Sequence, residues 1–264
     1  DNSEIKKIHS AIKHRGPDDE KIINLKFSSL GMLRLSIIDL TEASNQPFKN
    51  NDRKVTLIYN GEIYNFKELR NNYFPKDKFK SSGDGEVLLY MYIKFGIKFI
   101  EKIKGMFAIC IVDEKIDKVY LIRDRFGIKP LYYYKNKDGV LNFCSEIKGL
   151  VKLKDIKKEI NFNEIYLYLN KGFVNSTNET WFKNINQIPP GCYLSINRGN
   201  IEIKKYYSLE DNIDEEKDNF KNSFKKNLEI IKEKTYNSFS QHKNFDVKGG
   251  LHISGGTDSA VISA

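Results

Sequence analysis

No apolar run in this chain reaches the roughly 18 to 20 residues that a membrane-spanning helix needs, so no membrane partner is expected. Cysteine is scarce. Cys110, Cys144 and Cys192 are odd in number, far apart and in no CxxC pair. That excludes a disulfide framework. The four His residues show no ligand spacing with them, so a cysteine–histidine metal cluster is excluded as well. The first two cysteines lie in apolar, strand-like runs and predict buried free thiols in a reducing compartment. The N-terminus, Asp1-Asn2-Ser3-Glu4, carries no signal-peptide pattern and no initiating Met, which fits either a fragment or a mature chain whose front has been removed. There is no RGG run, no zinc-finger spacing and no dense Arg cluster. The formal charge of +9 is therefore read as a solvated, Lys-rich surface, with no nucleic-acid partner.

What is present suits a soluble globular protein. The 264 residues are 40% hydrophobic and include 17 Phe and 15 Tyr, enough for a sizeable core. Ile5, Ile8 and Ile12 recur at helical spacing, and Gly16-Pro17 breaks the pattern. Strands are predicted at Ile22–Phe27, Gly31–Ser36 and Val55–Tyr59, and helices at Tyr64–Tyr73 and Glu86–Phe95. Met106–Val112 is a continuous apolar run suited to a strand buried on both faces. Lys118–Arg123 makes it a hairpin. Leu131–Tyr134 with Val140–Cys144, and Cys192–Ile196 with Ile201–Tyr207, read as further hairpins. Between them Glu146–Val151 and Asn161–Leu169 read as helices. Leu209–Asp218 is acidic with few anchors and reads as a linker. Phe220, Phe224, Leu228, Ile231 and Phe239 then line one face of a long helix. Hairpins gathered between helices predict an α+β layered domain.

At the C-terminal end an apolar strand, Gly250–Ile253, is predicted to open into Ser254-Gly255-Gly256-Thr257-Asp258-Ser259 and a helix. Gly255 and Gly256 let backbone N–H groups approach an anion, and the helix turns its positive end to the same point. Ser254, Thr257 and Ser259 add hydroxyls, and Asp258 either orients a phosphate-bound Mg²⁺ or caps the helix. An ordinary helix cap after a glycine turn is the alternative. No Gly-Lys-Ser/Thr follows, so this is not a Walker A loop.

Upstream, four residue groups suit one small amino-acid substrate. The Arg34 guanidinium can grip an α-carboxylate through two parallel hydrogen bonds. The Asn60 amide and the Gly61 N–H can face an oxyanion. Glu62 and Asp84 offer carboxylates to an α-ammonium group. Each also has a plain reading: a surface salt bridge for Arg34, a turn for Asn60-Gly61, and a cap for Asp84 on the helix beginning near Glu86.

The joint pattern is more specific. HRGPDD (His14–Asp19), RLSIID (Arg34–Asp39), Gln46-Pro47, NGEIYN (Asn60–Asn65), GDGE (Gly83–Glu86), GMFA (Gly105–Ala108) and RDRFGIKPLYY (Arg123–Tyr133) resemble class II glutamine amidotransferase domains. SGGTDS resembles the PP-loop of ATP pyrophosphatases. The combination, with Ser145–Leu150 and Pro189-Pro190-Gly191, resembles the glutamine-hydrolysing asparagine synthetases over nearly the whole chain.

That resemblance implies an N-terminal-nucleophile hydrolase αββα sandwich over residues 1–208. It implies the start of an α/β PP-loop ATP pyrophosphatase domain over 209–264. It implies that Arg34, Ile37, Ile38, Asn60, Gly61, Glu62 and Asp84 hold glutamine, with Asn60 and Gly61 as the oxyanion hole. Ser254, Gly255, Gly256, Thr257, Asp258 and Ser259 would receive the ATP phosphates, with Mg²⁺ near Asp258. The position that meets adenine is Leu in many relatives and His252 here, so that contact would use the backbone.

The family's nucleophile is an N-terminal Cys whose α-amine is the base. Residue 1 matches a point downstream of it, and none of the three cysteines matches a catalytic position. The 264 residues alone are therefore expected to be inactive. The intact enzyme would hydrolyse glutamine and pass ammonia to aspartate activated by ATP as β-aspartyl-AMP, giving asparagine, AMP and pyrophosphate, as a cytoplasmic homodimer. Two alternatives stand beside it. One is an amidotransferase acting on another carboxylate, such as a uronic acid, which Thr257 in place of the more usual Leu or Ile favours. The other is an inactive glutamine-binding paralogue. The phosphoribosylpyrophosphate amidotransferases share the front half but would not continue into SGGTDS.

Overall fold

The computed structural model describes residues 2–172, 177–215 and 223–263. Helix α1 (Asn2–Ala11) leads into the hairpin β1 (Asp19–Asn24) and β2 (Ser29–Arg34). Then come β3 (Phe48–Asn50), β4 (Val55–Ile63), α2 (Phe66–Tyr73) and α3 (Gly85–Phe95). Strands β5 (Gly105–Asp113), β6 (Lys118–Arg123), β7 (Tyr132–Lys135) and β8 (Leu141–Cys144) follow. After them come α4 (Ile147–Leu150), α5 (Phe162–Lys171), β9 (Ile185–Gln187), β10 (Cys192–Asn197) and β11 (Asn200–Lys205). The described chain ends with α6 (Leu209–Glu215), α7 (Phe224–Gln241) and α8 (Thr257–Ser263).

The order of layers follows from the double-sided strands. Six antiparallel strands form one sheet in the order β11-β10-β6-β5-β4-β3. Along β5 the alternation of side chains sends Phe107, Ile109 and Ile111 to one face and Ala108, Cys110 and Val112 to the other. The first face packs on α2 and α3 through Phe66, Leu69, Val87, Leu88 and Met91. The second meets a layer of β1–β2 and the three-stranded sheet β8-β7-β9, through Leu30, Met32, Leu131 and Ile188. The outer face of that layer is closed by α1 and α4, with Ile8, Ile12 and Leu150 against Tyr134, Cys144 and Ile185. Three apolar interfaces thus separate four layers, helix–sheet–sheet–helix. Each fully buried Leu, Ile or Phe contributes about 1.5–3 kcal/mol, so the apolar pattern alone favours this stacking.

Most predicted elements form within a few residues of their expected ends, and Lys118–Arg123 forms at its expected bounds. Three expectations are corrected. Strand β4 does not stop at Tyr59 but runs through Asn60, Gly61 and Glu62 to Ile63, because β5 pairs with it over its whole length. The acidic stretch after Ser208 begins with helix α6, with Glu210 and Asp211 in its first turn, where the helix dipole favours acid. The rest of the expected linker, and Phe220, lie outside the described residues. Gly250–Ile253 takes no strand conformation. A strand needs a partner for its backbone groups, and Leu251 and Ile253 lie exposed with no ladder beside them among the described residues.

Arg123 and Asp124 tie the layers together. The Arg123 guanidinium donates to the carbonyls of Gly127, Lys129 and Ile188 and to Gln187 Oε1. The Asp124 carboxylate, 1% exposed, accepts from the N–H groups of Phe107, Phe126, Ile128 and Lys129. Removing it would leave several buried donors unpaired. Asp124→Ala is expected to lower unfolding free energy by about 3 kcal/mol or more, read by denaturant titration. A loss under about 0.5 kcal/mol, typical of a surface change, would refute this role.

Candidate active site

Arg34 ends β2, and the HRGPDD run fixes where it ends. A Cβ on Gly16 would lie 2.4 Å from the Arg34 nitrogen, so only glycine lets the two backbones touch. Beyond it, the Asp18 N–H donates to the Arg34 carbonyl at 3.0 Å. Asp18 Oδ2 accepts from the Ser36 N–H at 2.7 Å. Arg34 is 8% exposed and is not the surface salt bridge of the plain reading. Nη1 donates to the Thr41 carbonyl and Asn45 Oδ1, and Nη2 to the carbonyls of Ile38 and Asp39. All four Nη hydrogens are thus used on the loop after β2. The fork expected to grip a substrate carboxylate instead organises this loop, and Nε remains for a further acceptor.

The loop has a second anchor in Asp39, 4% exposed and at a left-handed φ of +50°. Its Oδ1 accepts from the Thr41 N–H and hydroxyl, and its Oδ2 from the Ser82 N–H at 2.7 Å. Burial opposes its charge. The Thr41 hydroxyl and the Ser82 and Thr41 N–H groups outweigh it and hold the carboxyl well below its ordinary value.

The outer edge of β4 carries the chemistry. Beyond Leu57, where β3 stops pairing, every second N–H points away from β5. Gln46 fills the first position: its amide donates to the Tyr59 carbonyl at 2.8 Å and accepts from the Tyr59 N–H at 2.7 Å. Asp84 fills the third, with Oδ2 accepting from the Ile63 N–H at 2.8 Å and Oδ1 from the Tyr59 hydroxyl. Gly61 lies between them, and its N–H has no partner among the described residues. A Cβ there would lie 2.1 Å from the Met106 carbonyl oxygen, so glycine is required. Next to it the Asn60 Nδ2 is buried without a hydrogen-bond partner, an exception that calls for a reason.

Asp84, at 3% exposed, occupies the N-cap position of α3 but makes no side-chain cap bond. It braces β4 instead, and burial raises its pKa. The Glu62 carboxylate accepts no hydrogen bond and forms no ion pair among the described residues. Arg34, Ile37, Ile38, Asn60, Gly61, Glu62 and Asp84 all line one cavity of about 1140 Å³ between the sheets.

Cys110, Cys144 and Cys192 are buried free thiols, each with its pKa raised chiefly by burial. Such thiols are poor nucleophiles. The glycine loop is separate from the cavity, which no residue of 252–259 lines. Gly255 adopts φ +80°. The Ser254 hydroxyl accepts from the Gly256 N–H and meets the Ser259 hydroxyl at 3.2 Å. Asp258 stands in the first turn of α8, and His252 is exposed. Gln46, Tyr59 and Asp39 had no assigned role in the sequence. The Gln46 and Asp39 side chains hold backbone groups and the Tyr59 hydroxyl holds the Asp84 carboxylate, and no spacing rule reports such pairings.

Two donors without a partner among the described residues, a carboxylate and a buried arginine thus line one cavity between the sheets. The chain belongs to the glutamine amidotransferase domain family, whose sequence profile matches residues 1–207. It is 36% identical over 271 residues to asparagine synthetase [glutamine-hydrolyzing] 2 of Bacillus subtilis, covering 98% of this chain and 35% of that protein. It is also 36% identical to asparagine synthetase [glutamine-hydrolyzing] 1 of the same organism, over 98% of this chain and 40% of the relative. With asparagine synthetase B of Escherichia coli the identity is 33%, over 96% of this chain and 39% of the relative. The chain therefore spans between a third and two fifths of these relatives' lengths. No helix among the described residues is long and apolar enough to cross a membrane.

The depressed pKa of Asp39 sets a pH dependence. Its folded form binds a proton more weakly than the unfolded chain, so its stabilisation is complete above the ordinary 3.8. It is lost as pH falls below that value towards the folded pKa. Asp39→Asn, which tolerates the left-handed backbone, is expected to flatten the acid limb of stability below about pH 4. Unfolding measured across that range checks it, and an unchanged slope would assign the acid sensitivity elsewhere.

Proposed function

We propose that this chain is the glutamine-hydrolysing half, with the opening of the ATP-binding half, of a glutamine-dependent asparagine synthetase. The observation that carries the reading is the pair of unpaired donors, Asn60 Nδ2 and the Gly61 N–H, side by side on one cavity wall. Native proteins pair nearly all buried donors. Two left open at the same place suit an oxygen that gains charge during a reaction. An oxyanion hole needs donors fixed in advance, so that no reorganisation is required when the charge develops. Gln46 and Asp84, on either side of Gly61, supply that rigidity.

In this reading the side-chain carbonyl of glutamine faces Asn60 and Gly61. Its ammonium group meets the unpaired Glu62 carboxylate, with Asp84 behind the wall. Its α-carboxylate lies on the Arg34 side, attracted by the buried positive charge, and Ile37 and Ile38 wall the pocket. The attacking thiolate belongs to an N-terminal cysteine of the full-length protein, with its own α-amine as base. The raised pKa values of Cys110, Cys144 and Cys192 argue against any of them in that role. A thioester forms, ammonia leaves, and water releases glutamate.

The second half begins after Ser208. The left-handed Gly255 and the hydroxyls of Ser254, Thr257 and Ser259 at the start of α8 suit a chain of phosphates, with Gly256 giving close backbone approach. His252 would meet the base through its backbone, and Asp258 would lie near Mg²⁺. ATP is a co-substrate there, turning the β-carboxyl of aspartate into an adenylate that ammonia can attack. A cytoplasmic homodimer completes the reading.

The test uses full-length protein and amide-¹⁵N glutamine. Label is expected in asparagine, with pyrophosphate formed in step. Asn60→Ala is expected to lower the kcat of glutamine hydrolysis by about 10²–10³-fold with little change in KM, as for loss of an oxyanion donor. Absence of glutamine hydrolysis by the unaltered protein would sink the amidotransferase reading. Label passing to another carboxylate but not to aspartate would sink the choice of acceptor alone.

A further inference from the structure

The segment between α7 and the glycine loop is far in sequence from the glutamine-site loop, yet it is fastened to that loop. The Asp246 N–H donates to the Ile37 carbonyl at 2.8 Å. Asp246 Oδ2 accepts from the Asp39 N–H at 2.7 Å. One residue thus brackets Ile38 with two hydrogen bonds, and both Ile37 and Ile38 line the cavity. The carbonyls of Ile38 and Asp39 go to Arg34, so the guanidinium and Asp246 both hold the Ile37–Asp39 stretch, and both bond Asp39.

The same segment also reaches the residues just after β4. Asn244 Nδ2 donates to the Tyr64 carbonyl at 3.4 Å, and Asn244 Oδ1 accepts from Lys67 Nζ at 3.0 Å. The His242 ring lies 4.2 Å from that of Tyr64, centroid to centroid. Tyr64 follows Glu62 just past the end of β4. Residues 242–246 therefore form a strap from the β4 end to the Ile37–Asp39 loop.

We propose that Asp246 is a positioning residue for the glutamine pocket, acting through Ile37–Asp39 on the pocket wall and on the direction of the Arg34 fork. Asp39 holds a left-handed backbone, a conformation that persists only when its surroundings over-determine it. Asp246 supplies the partner for its N–H. Without that carboxylate the loop loses one of its three holds, and the substrate-binding wall relaxes. The oxyanion donors on β4 do not depend on it. The effect therefore falls on binding and spares turnover. This places the control of glutamine affinity partly on the second half of the protein. The segment that leads to the nucleotide loop is part of the pocket's support, and coupling between the two sites would be reciprocal.

The proposal rests on the glutamine-hydrolysing reading, and its test has two readouts so that the two can fail separately. In full-length protein, Asp246→Ala is expected to raise the KM for glutamine about tenfold with kcat within about twofold. Asp246→Asn keeps an acceptor oxygen and is expected to restore most of the affinity. In parallel, hydrogen–deuterium exchange of the unliganded protein is expected to speed about tenfold at residues 37–41 in Asp246→Ala, with the strands β5 and β6 unchanged. An unchanged KM, a fall confined to kcat, or an Asn variant as poor as the Ala variant would overturn the positioning role. If the unaltered protein hydrolyses no glutamine, the function fails and exchange alone decides. Unchanged exchange at 37–41 then overturns the positioning role too.

Discussion

An antiparallel strand offers half of its N–H and C=O groups to each side, and at the edge of a sheet one half goes unpaired. The site depends on how the outer edge of β4 is managed. Gln46 closes the edge at Tyr59, and Asp84 closes it at Ile63. Among the described residues the Gly61 N–H between them is left open, with the unpaired Asn60 amide beside it. The closure concentrates hydrogen-bonding capacity at one point instead of spreading it along an exposed strand. It also fixes that point, because the residues on both sides are held in place.

The remaining architecture serves that edge. The ladder between β4 and β5 extends over nine residue pairs, and on the other edge of β5 Asp124 holds the Phe107 backbone. Asp84 reaches β4 from the start of α3, whose apolar residues seat it in the first core interface. Burial raises the pKa of this carboxyl. Its bonds to the Tyr59 hydroxyl and the Ile63 N–H offset part of that cost. Across the cavity, Arg34 plays the equivalent part for its own loop. Buried charge is tolerable only when its hydrogen-bonding groups are met, and here carbonyl oxygens meet it.

Much of this was legible in the residues. The continuous apolar run Met106–Val112, helical spacing at Ile5, Ile8 and Ile12, and the pairing of Leu131–Tyr134 with Val140–Cys144 each predicted the element that forms. The seven residues that the resemblance assigns to glutamine lie, among many others, on one large cavity. Their individual roles were less legible. Arg34 was expected to face a substrate and turns its fork to its own loop. Asp84 was expected to meet an ammonium group or cap a helix, and it braces a strand. Strand β4 runs past the Asn-Gly pair that reads as a turn, since nine residue pairs with β5 outweigh a local turn preference.

Residue types and their order by themselves determined the class of layers, the strands that must be double-sided, the glycine positions and the chemical inventory of the pocket. These follow from periodicity, steric demand and functional groups, which are local properties. Only the tertiary structure decided which donors stay unpaired, which carboxylates are spent as braces, and that Asp246 reaches back to Ile37 and Asp39. A hydrogen bond is a property of two atoms brought together, and partners more than two hundred positions apart leave no periodic mark on the chain. Pairing is therefore decided by packing, and with it the difference between a polar residue that supports the site and one that is free to act in it.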